Sequence, residues 1–461
     1  MSRRFSISCL FIVLFISRAE ADDLNLRQAI DIGIKNNLNL EFAQKENRLA
    51  LKNVHMKYRE YLPSVNVGYS LSDTVSYYAD DTHSRQINVG IKQMIYDKGT
   101  LRASIKIEKE RLALEAKKNK QDREAFIFSV IDNYKNVLEL EKELEITRQA
   151  RSVVAQQVEI GLLERDIGEL TQFDYIELEL ALADMDIQIL KITHKLTQSH
   201  LDFATVMNMR PDEIPPLSGE LNYLYNGCLS GSENYYTELA LNNSLELKEI
   251  EFAKHKAASE YSILKKKYLP EVSLSCNASV YDDSFPLSEK SFSVVLDLDF
   301  STPGLPSTIS AGLGKNSSDQ RYRTFSTDVD IMGNSDMLYS EAGGKVAYDK
   351  ARWNCEKYAR ECRSQVIERY RNILVLVENI DNARKRIELE EKKVSIEELK
   401  VQLGLEKRID YVESQMELAQ NRIQIFRAIS DLYSQETALM SLCGQTGAEF
   451  SGEKLIQRSG L

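Results

Sequence analysis

The chain has 461 residues, of which 43% are hydrophobic and 28% are charged. It carries 59 Lys and Arg against 70 Asp and Glu, and this net charge of −11 argues against a nucleic-acid-binding protein. A mean hydropathy of −0.36 and the lack of any apolar run of 18 residues exclude a bundle of membrane-spanning helices. A β-barrel stays open, because its strands are apolar on one side only.

Residues 1–21 have the features of a secretory signal peptide. Arg3 and Arg4 precede an apolar stretch from Phe5 to Ile16, and an Ala-Glu-Ala sequence at 19–21 suits cleavage. The apolar stretch is too short to span a membrane as a helix, although an N-terminal anchor is the alternative. The sequence therefore predicts an exported mature chain.

The cysteines and histidines indicate neither a disulfide framework nor a metal site. Beyond the signal peptide five cysteines remain, an odd number with irregular spacing. Cys355 and Cys362 would lie on one helix face about 10.5 Å apart, too far for a disulfide, and are interpreted as small core residues. The five histidines lack metal-ligand spacing, and no catalytic or cofactor-binding motif stands out. The sequence predicts a protein that is not an enzyme and has no cofactor.

Residues 64–210 and 307–461 contain no proline, and residues 100–160, 169–218, 345–403 and 405–443 contain no glycine. Because proline and glycine interrupt helices, their absence permits helices at about 98–165 and 335–402, each about 100 Å long. Apolar residues recur there at three- to four-residue spacing, which is typical of a coiled-coil-like seam. A tunnel or a tether needs helices of this length, whereas a compact domain does not.

The chain is an internal duplication. The sequence Asn-Asn-Leu-Asn-Leu at 36–40 resembles Asn-Ser-Leu-Glu-Leu at 243–247, an offset of 207 residues that the Tyr-Leu-Pro-x-Val elements around Pro63 and Pro270 share. The segment with Gly168 matches the one with Gly404 at an offset of 236. The difference of 29 residues indicates an insertion in the second half, within about 301–335.

Each half reads as a helix, a strand pair, a very long helix, a turn and a returning helix. The first helices, at about 26–61 and 235–268, end before Pro63 and Pro270, since proline disfavours helical geometry in the residue before it. The segments at about 64–97 and 271–300 then alternate apolar and polar residues, as membrane-barrel strands do.

A half-buried sheet in a soluble protein is the alternative interpretation of this alternation. Four strands cannot close a barrel, and open edges are not tolerated in lipid, so a barrel requires several copies of the chain. The insertion could add a hairpin at about 307–313 and 322–331, or it could extend into the periplasm or outside the cell.

The predicted divisions are the signal peptide 1–21, a first repeat 22–208, a connecting segment 209–234, a second repeat 235–444 and a polar tail 445–461. The returning helices are expected at about 171–208 and 407–443. In both repeats, the predicted strand pair therefore lies between the first helix and the long helical hairpin.

These motifs, in this order, resemble those of the TolC-like outer-membrane efflux proteins. The duplicated elements and the Tyr-Asp-Lys-Gly sequence at 96–99 carry the resemblance over nearly all of the mature chain. It implies a mainly α fold with a membrane β-barrel, formed as a homotrimer with twelve strands and a periplasmic helical tunnel. It also implies a passive channel in outer-membrane lipid, which joins a periplasmic adaptor protein and an inner-membrane transporter for efflux or type I secretion.

A competing interpretation is an exported coiled-coil protein that tethers envelope layers or binds partners without conducting. A tether has no need of strands that alternate with period two. The strand pattern therefore favours the channel.

The resemblance further implies that the glycine-marked turns at Gly168 and Gly404 form a closed periplasmic tip. The strand turns at about 78–84 and 281–290 would then face the outside of the cell. Substrates would enter at the tip and leave through the barrel.

Acidic residues that ring the entrance in the family match Asp410 and Glu413, whose first-repeat counterparts are Asp174 and Glu177. Three-fold symmetry would turn one carboxylate into a ring that favours cations and repels itself, which could help gate the channel. Acids in the first turn of a helix are also stabilised by its dipole, by about 0.3–1 kcal/mol. Gating and capping stay equal alternatives for Asp410 and Glu413, and capping is favoured for Asp174 and Glu177.

The sequence departs from the family where an Arg or Tyr near the second turn would tie neighbouring helices together. Val401 and Glu406 occupy those places. Lys407 and Arg408 are close by, and their pairing with acids on a neighbouring helix is the hypothesis for closure.

Overall fold

The computed structural model describes residues 23–75, 77, 82–445 and 448–457. The predicted signal peptide and most of the predicted strand turn at 78–84 lie outside these residues. Within the described ranges, no helix combines the length and apolarity needed to cross a membrane.

The first repeat alternates helices and strands as expected. Its elements are α1 (Leu26–Asn36), α2 (Leu38–Arg59), β1 (Ser64–Thr74), β2 (Thr82–Tyr96), α3 (Thr100–Ile167) and α4 (Gln172–Met207). A connecting segment follows, with a short 3-10 helix (Pro211–Glu213) and β3 (Glu220–Leu221).

The second repeat has the same order with one addition. Its elements are α5 (Glu233–Asn243), α6 (Leu245–Leu264), β4 (Pro270–Asp282), β5 (Glu289–Phe300), β6 (Ser307–Lys315), β7 (Arg321–Val329), α7 (Asp336–Gln402) and α8 (Arg408–Leu442). The chain continues into α9 (Ala448–Leu455) and β8 (Ile456–Gln457), and β8 pairs with β3. The predicted polar tail therefore contains ordered elements, and Leu455 and Ile456 are buried in the core.

The first helix of each repeat is broken, which corrects the predicted continuous helices at 26–61 and 235–268. The Asn37 side chain accepts hydrogen bonds from the N–H groups of Asn39 and Leu40 at 2.9 and 3.2 Å. Ser244 likewise caps α6 by accepting from the N–H of Leu247. Such side chains begin a new helix because they satisfy its unpaired N–H groups. The duplicated Asn-Asn and Asn-Ser sequences are therefore helix junctions.

The two prolines and the segment 96–99 lie where the chain changes between helix and strand. Pro63 immediately precedes β1, and Pro270 is the first residue of β4. Between β2 and α3, Lys98 and Gly99 have φ angles of 59° and 87°. Asp97 accepts hydrogen bonds from the N–H groups of Gly99 and Leu101 at 3.0 and 2.6 Å, which fixes this reversal.

Among the described residues, six strands form one antiparallel sheet in the order β1-β2-β4-β5-β6-β7. The insertion thus forms a hairpin inside the sheet, with Ser307 opposite Phe300 and Lys315 opposite Phe292. The sheet therefore contains the four expected strands and the two strands of the hairpin that the sequence left open.

The sheet has one apolar and one polar face, as the alternation predicts. Val272, Leu298 and Ile309 lie opposite one another along one row, which belongs to the apolar face. The neighbouring row contains Ser273 and Asp297 on the polar face. The strands therefore separate an apolar environment from a polar one.

The helices pack side by side in two rows below the sheet. Near the sheet, α2 contacts α3, α3 contacts α6, and α6 contacts α7. Towards the far end, α4 contacts α3, α3 contacts α8, and α8 contacts α7. The main core lies between the rows and contains buried Tyr134, Val366, Cys362, Tyr433 and Cys443. Cys362 is a core residue as expected, and Cys355 packs against the same cluster as a free thiol.

The connecting segment wraps this core at mid-height and is held by buried polar contacts. Glu436 on α8 accepts hydrogen bonds from the Tyr225 hydroxyl at 2.5 Å and from the Cys228 N–H at 2.7 Å. The Arg384 guanidinium on α7 donates to the carbonyl oxygens of Tyr223 and Tyr225 at 2.6 and 3.1 Å. The loop is therefore attached to the second helical hairpin by specific polar contacts.

Candidate functional site at the helical tip

Gly168 and Gly404 end the two long helices. Their φ angles are 85° and 71°, a left-handed conformation that glycine adopts without steric cost. A Cβ at either position would meet no heavy atom within 4 Å, so the backbone conformation and not a lack of space requires glycine. Both turns are exposed at the end of the molecule farthest from the sheet.

Asp174 lies in the first turn of α4, which Thr171 caps, and it also contacts the second repeat. The Thr171 hydroxyl oxygen accepts from the Asp174 N–H at 3.1 Å, and the hydroxyl lies 2.5 Å from the Asp174 carboxylate. Lys407, at the start of α8, donates to the same carboxylate at 3.1 Å. The Thr171 hydroxyl and then the Lys407 ammonium lower the pKa of Asp174. Asp174 therefore bonds the capping Thr171 side chain and also makes a contact between repeats.

Lys407 lies among three of the four acidic residues that the sequence singled out. Its hydrogen bond and ion pair with Asp174 raise its pKa, and the charges of Glu177 and Asp410 act in the same direction. Asp410 is exposed in the first turn of α8. Glu413, one turn further on, is also exposed. In the described ranges no side-chain hydrogen bond or ion pair is formed by Glu413.

Arg408 makes the most enclosed polar contact of the tip. Its Nε donates to the Glu164 carboxylate at 3.0 Å, and Nη2 donates to the second oxygen of the same group. Nη1 donates to the Gln157 side-chain oxygen at 2.5 Å. The two charged side chains retain only 12% and 27% of their exposure. Bidentate pairs of this kind are stronger and more directional than pairs with lysine.

Sequence reasoning proposed that Lys407 or Arg408 pairs with acids on a neighbouring helix but did not identify Glu164 or Gln157. A signal was present in the duplication. At the offset of 236, Glu164 corresponds to Lys400, and Thr171-Gln172 corresponds to Lys407-Arg408. The first repeat is thus acidic or neutral where the second is basic. Such a difference makes the two turns electrostatically complementary.

A small apolar core supports these contacts. Val154, Leu178 and Val412 are fully buried between the hairpins, and the tyrosines of the duplicated Asp-Tyr elements, Tyr175 and Tyr411, are nearly so. Asp174 and Asp410 directly precede these tyrosines, and Asp410 is exposed whereas Asp174 is partly enclosed. In the described part of the chain, no cluster of three or more His, Cys, Asp or Glu is placed to hold a metal ion.

The chain thus combines two long helical hairpins, a sheet with one apolar face, and ion pairs between the hairpins at the end remote from the sheet. The sequence matches the profile of the outer membrane efflux protein family over residues 29–208 and 237–445. No curated protein sequence matches the chain.

The fold resembles several solved structures at low sequence identity. CusC shares 13% identity with a TM-score of 0.74, over 91% of this chain and 92% of CusC. The Vibrio cholerae outer membrane protein VceC shares 14% with a TM-score of 0.72, over 92% and 97% of the chains. The Campylobacter jejuni CmeC outer membrane channel shares 12% with a TM-score of 0.68, over 94% and 90%.

The chain belongs to the outer membrane efflux protein family. It is an efflux protein of the outer membrane, and the predicted family, the mainly α fold with an antiparallel sheet, and the outer-membrane location are confirmed. The interpretation as a tether is not favoured. The family is one of transport proteins, not of enzymes.

Proposed function

We propose that three copies of this chain form a passive conduit for substrates delivered by an inner-membrane transporter through a periplasmic adaptor protein. The number of copies and both partners follow from the family. The chain itself has no catalytic part in this proposal, because the transporter supplies the energy. The observation that carries it is that the sheet and both rows of helices have an uncovered edge on each side of the chain.

In the sheet, the two edges are β1 and β7. Within the described residues, β1 pairs with β2 alone and β7 pairs with β6 alone. An unpaired strand edge in lipid leaves its N–H and C=O groups without partners, at several kcal/mol for each group. Pairing with a neighbouring copy on each side removes this penalty at both edges.

The helical rows end in exposed apolar stripes with seven-residue spacing. Near the sheet, the stripe of α2 consists of Phe42, Leu49 and Met56, and that of α7 consists of Tyr339, Val346 and Trp353. Towards the tip, the stripe of α4 consists of Phe173, Leu180 and Ile187. That of α7 consists of Leu389 and Ile396 and is continued by Leu403, the residue after the helix. Seven-residue spacing is the repeat that packs one helix against another in a coiled coil.

These edges lie on opposite sides of the chain. The edges β1, α2 and α4 form one side, and β7 with the two stripes of α7 forms the other, because α2 and α7, and α4 and α7, lie at opposite ends of their rows. Each α7 stripe runs antiparallel to the stripe it would meet. A head-to-tail contact of this type repeats from copy to copy, and it closes into a ring when the rotation between neighbouring copies completes a full turn.

The tip supplies the gate of the proposed conduit. Opening the entrance requires the hairpin of α7 and α8 to move relative to that of α3 and α4, which separates Arg408 from Glu164 and Lys407 from Asp174. Asp410 and Glu413 are exposed acids in the first two turns of α8, and a three-fold axis would gather them into rings that favour cations. We propose these two residues as selectivity determinants of the entrance.

The test is reconstitution of the full mature chain. We expect a trimer in detergent and, in planar bilayers, a small conductance that rises when the tip is opened by substitution. A purified protein that is monomeric and soluble without detergent contradicts the proposal. A trimer that conducts in no variant supports the tether.

A further inference from the structure

We infer that the hairpin of β6 and β7 belongs to the membrane wall and forms the seam to the next copy, so that three copies close an eighteen-stranded barrel. This inference rests on the proposed function, because it takes three copies as given. It differs from the twelve-stranded barrel that the family resemblance implies.

The hairpin continues the sheet without interruption. β6 pairs with β5 from Ser307 opposite Phe300 to Lys315 opposite Phe292. On the polar face, the Thr308 hydroxyl donates to Asp299 at 2.8 Å and the Ser310 hydroxyl donates to Asp297 at 2.6 Å. These hydrogen bonds join the inserted strand β6 to β5, which belongs to the strand pair expected in the second repeat.

The hairpin also continues the apolar face of the sheet. The register places Ile309, Leu313, Phe325 and Val329 on the same face as Leu298. An excursion into water has no need of an apolar face, whereas a barrel wall requires one on the lipid side.

Cationic residues lie on this face near the turn, at the end remote from the helices. Lys315 is directly opposite Arg321, and Arg323 follows on the same face opposite Leu313. Lys315 also pairs with Asp319 in the turn. Like charges directly opposite each other are destabilising unless anions lie nearby. Anionic lipid headgroups at the bilayer surface supply such counter-charges.

With the hairpin in the sheet, β7 is the edge strand with which β1 of the next copy can pair. Both edges of β5 are occupied, by β4 and by β6, so β1 of a neighbouring chain meets β7. β1 runs away from the helices and β7 runs towards them, so the new pair is antiparallel like every other pair of this sheet. An even number of strands in each chain permits this closure.

The dimensions of the two parts also agree. Near the sheet each chain contributes α2, α3, α6 and α7, and twelve helices about 9–10 Å apart have a circumference of about 110–120 Å. Eighteen strands about 4.8 Å apart and tilted by about 40° enclose about 113 Å, whereas twelve would enclose about 75 Å. The larger barrel therefore continues the helical tunnel with little taper and admits bulky substrates.

The first test is cross-linking between copies in a background without the five native cysteines. Asn66→Cys on β1 is combined in turn with Tyr322→Cys, Thr324→Cys and Ser326→Cys on β7, which scans the register between copies. The matched control combines Asn66→Cys with Ser293→Cys on β5, which has the same polar-face position. We expect covalent dimers and trimers for at least one β7 position and none for the control. Cross-links between β1 and β5 overturn the inference.

The second test removes the hairpin at its base. The N–H of Gly304 donates to the carbonyl of Gly333 at 2.9 Å, so deletion of 305–332 joins two residues that already touch. Polyethylene glycols of graded size, added from the extracellular side, measure the barrel independently of the tip. Because barrel diameter grows roughly in proportion to strand number, we expect the excluded radius to fall by about one third.

The outcomes separate the inference from the function on which it rests. An unchanged polymer cutoff in a trimeric deletion variant overturns the eighteen-stranded barrel and leaves the channel intact. If the deletion variant does not assemble, the cross-links decide. An intact protein without trimers or conductance removes the proposed function itself.

Discussion

Arg408, the first residue of α8, forms a bidentate ion pair with Glu164 near the end of α3, 244 residues earlier in the chain. The two residues belong to different helical hairpins, so their contact resists separation of the hairpins at the tip. Because both side chains are largely enclosed, the contact is less screened by solvent than an exposed pair.

Replacement of Arg408 by Ala should therefore open the tip. It removes the charged hydrogen bonds to Glu164 and Gln157, each of which contributes about 1.5–3 kcal/mol. We expect a larger single-channel conductance in planar bilayers. In a double-mutant cycle, Glu164→Ala should add little to Arg408→Ala, since both remove the same contact.

Arg386 provides the matched control for this prediction. It also pairs with two glutamates, Glu390 on its own helix and Glu417 on α8, but all three lie in one hairpin. Arg386→Ala should leave the conductance of the closed channel unchanged. Equal opening by Arg386→Ala and Arg408→Ala would show that loss of surface charge, and not the contact between hairpins, controls the tip.

The contact between Lys407 and Asp174 predicts how the tip responds to pH. The pKa of Asp174 is lowered, so the stabilisation is present above the ordinary aspartate pKa of about 3.9 and is lost as the pH falls through the lowered value. We expect constant conductance from about pH 7 to pH 5 and an increase only below about pH 4. Asp174→Asn should abolish this acid response. An increase that begins near pH 6 would indicate another group.

The exposed acids Asp410 and Glu413 should set ion selectivity. Neutral replacement with Asn and Gln removes two carboxylates per chain, so we expect a smaller reversal potential in a KCl gradient, with reduced preference for cations. Glu388, which pairs with Lys392 on the exposed face of α7, serves as the control for loss of an acid. Unchanged selectivity in the double variant would assign Asp410 and Glu413 to helix capping.

The apolar stripe of α4 should be required for assembly. Leu180 is 60% exposed in the isolated chain, and Leu180→Asp would place a charge within the proposed contact with α7. We expect loss of the trimer in detergent, measured by light scattering. Leu224 is 71% exposed in the connecting segment outside the stripes, and Leu224→Asp should retain the trimer.

Buried Glu436 should be needed for stability at mid-height. Glu436→Ala leaves the Tyr225 hydroxyl and the Cys228 N–H without their acceptor, at about 1–3 kcal/mol for each group. We expect a lower thermal midpoint of the trimer with unchanged single-channel conductance. Tyr225→Phe removes the hydroxyl alone and should cost less than Glu436→Ala. A conductance change without a stability change would argue against this structural role.

Short sequence signals predicted many of the helices and strands but missed the breaks within the first helix of each repeat. Pro63 and Pro270 lie at helix-to-strand changes because proline restricts the residue before it, and Gly168 and Gly404 end helices because they adopt positive φ. Asn37 and Ser244 were recognised as parts of a repeat but not as caps. The helical periodicity continues across both caps, so the apolar pattern gave no indication of a break.

At the tip, sequence reasoning found the acids more readily than their partners. Asp174, Glu177 and Asp410 were identified from the duplicated element, and the structure brings them around Lys407. Glu164 was missed because it lies before the turn, outside the duplicated element. Pairing between segments 244 residues apart depends on how two hairpins dock, which no local pattern reports.

The duplication, the two helical hairpins and the alternating strands were determined by the sequence alone, because periods of 3.6 and 2 and the backbone limits of proline and glycine act within a few residues. Only the tertiary structure decided that the insertion joins the sheet and that Arg408 meets Glu164. Both outcomes depend on strand register and on packing between segments that are distant in the sequence. Several arrangements satisfy the same local pattern, and the chain adopts the one with the lowest total free energy.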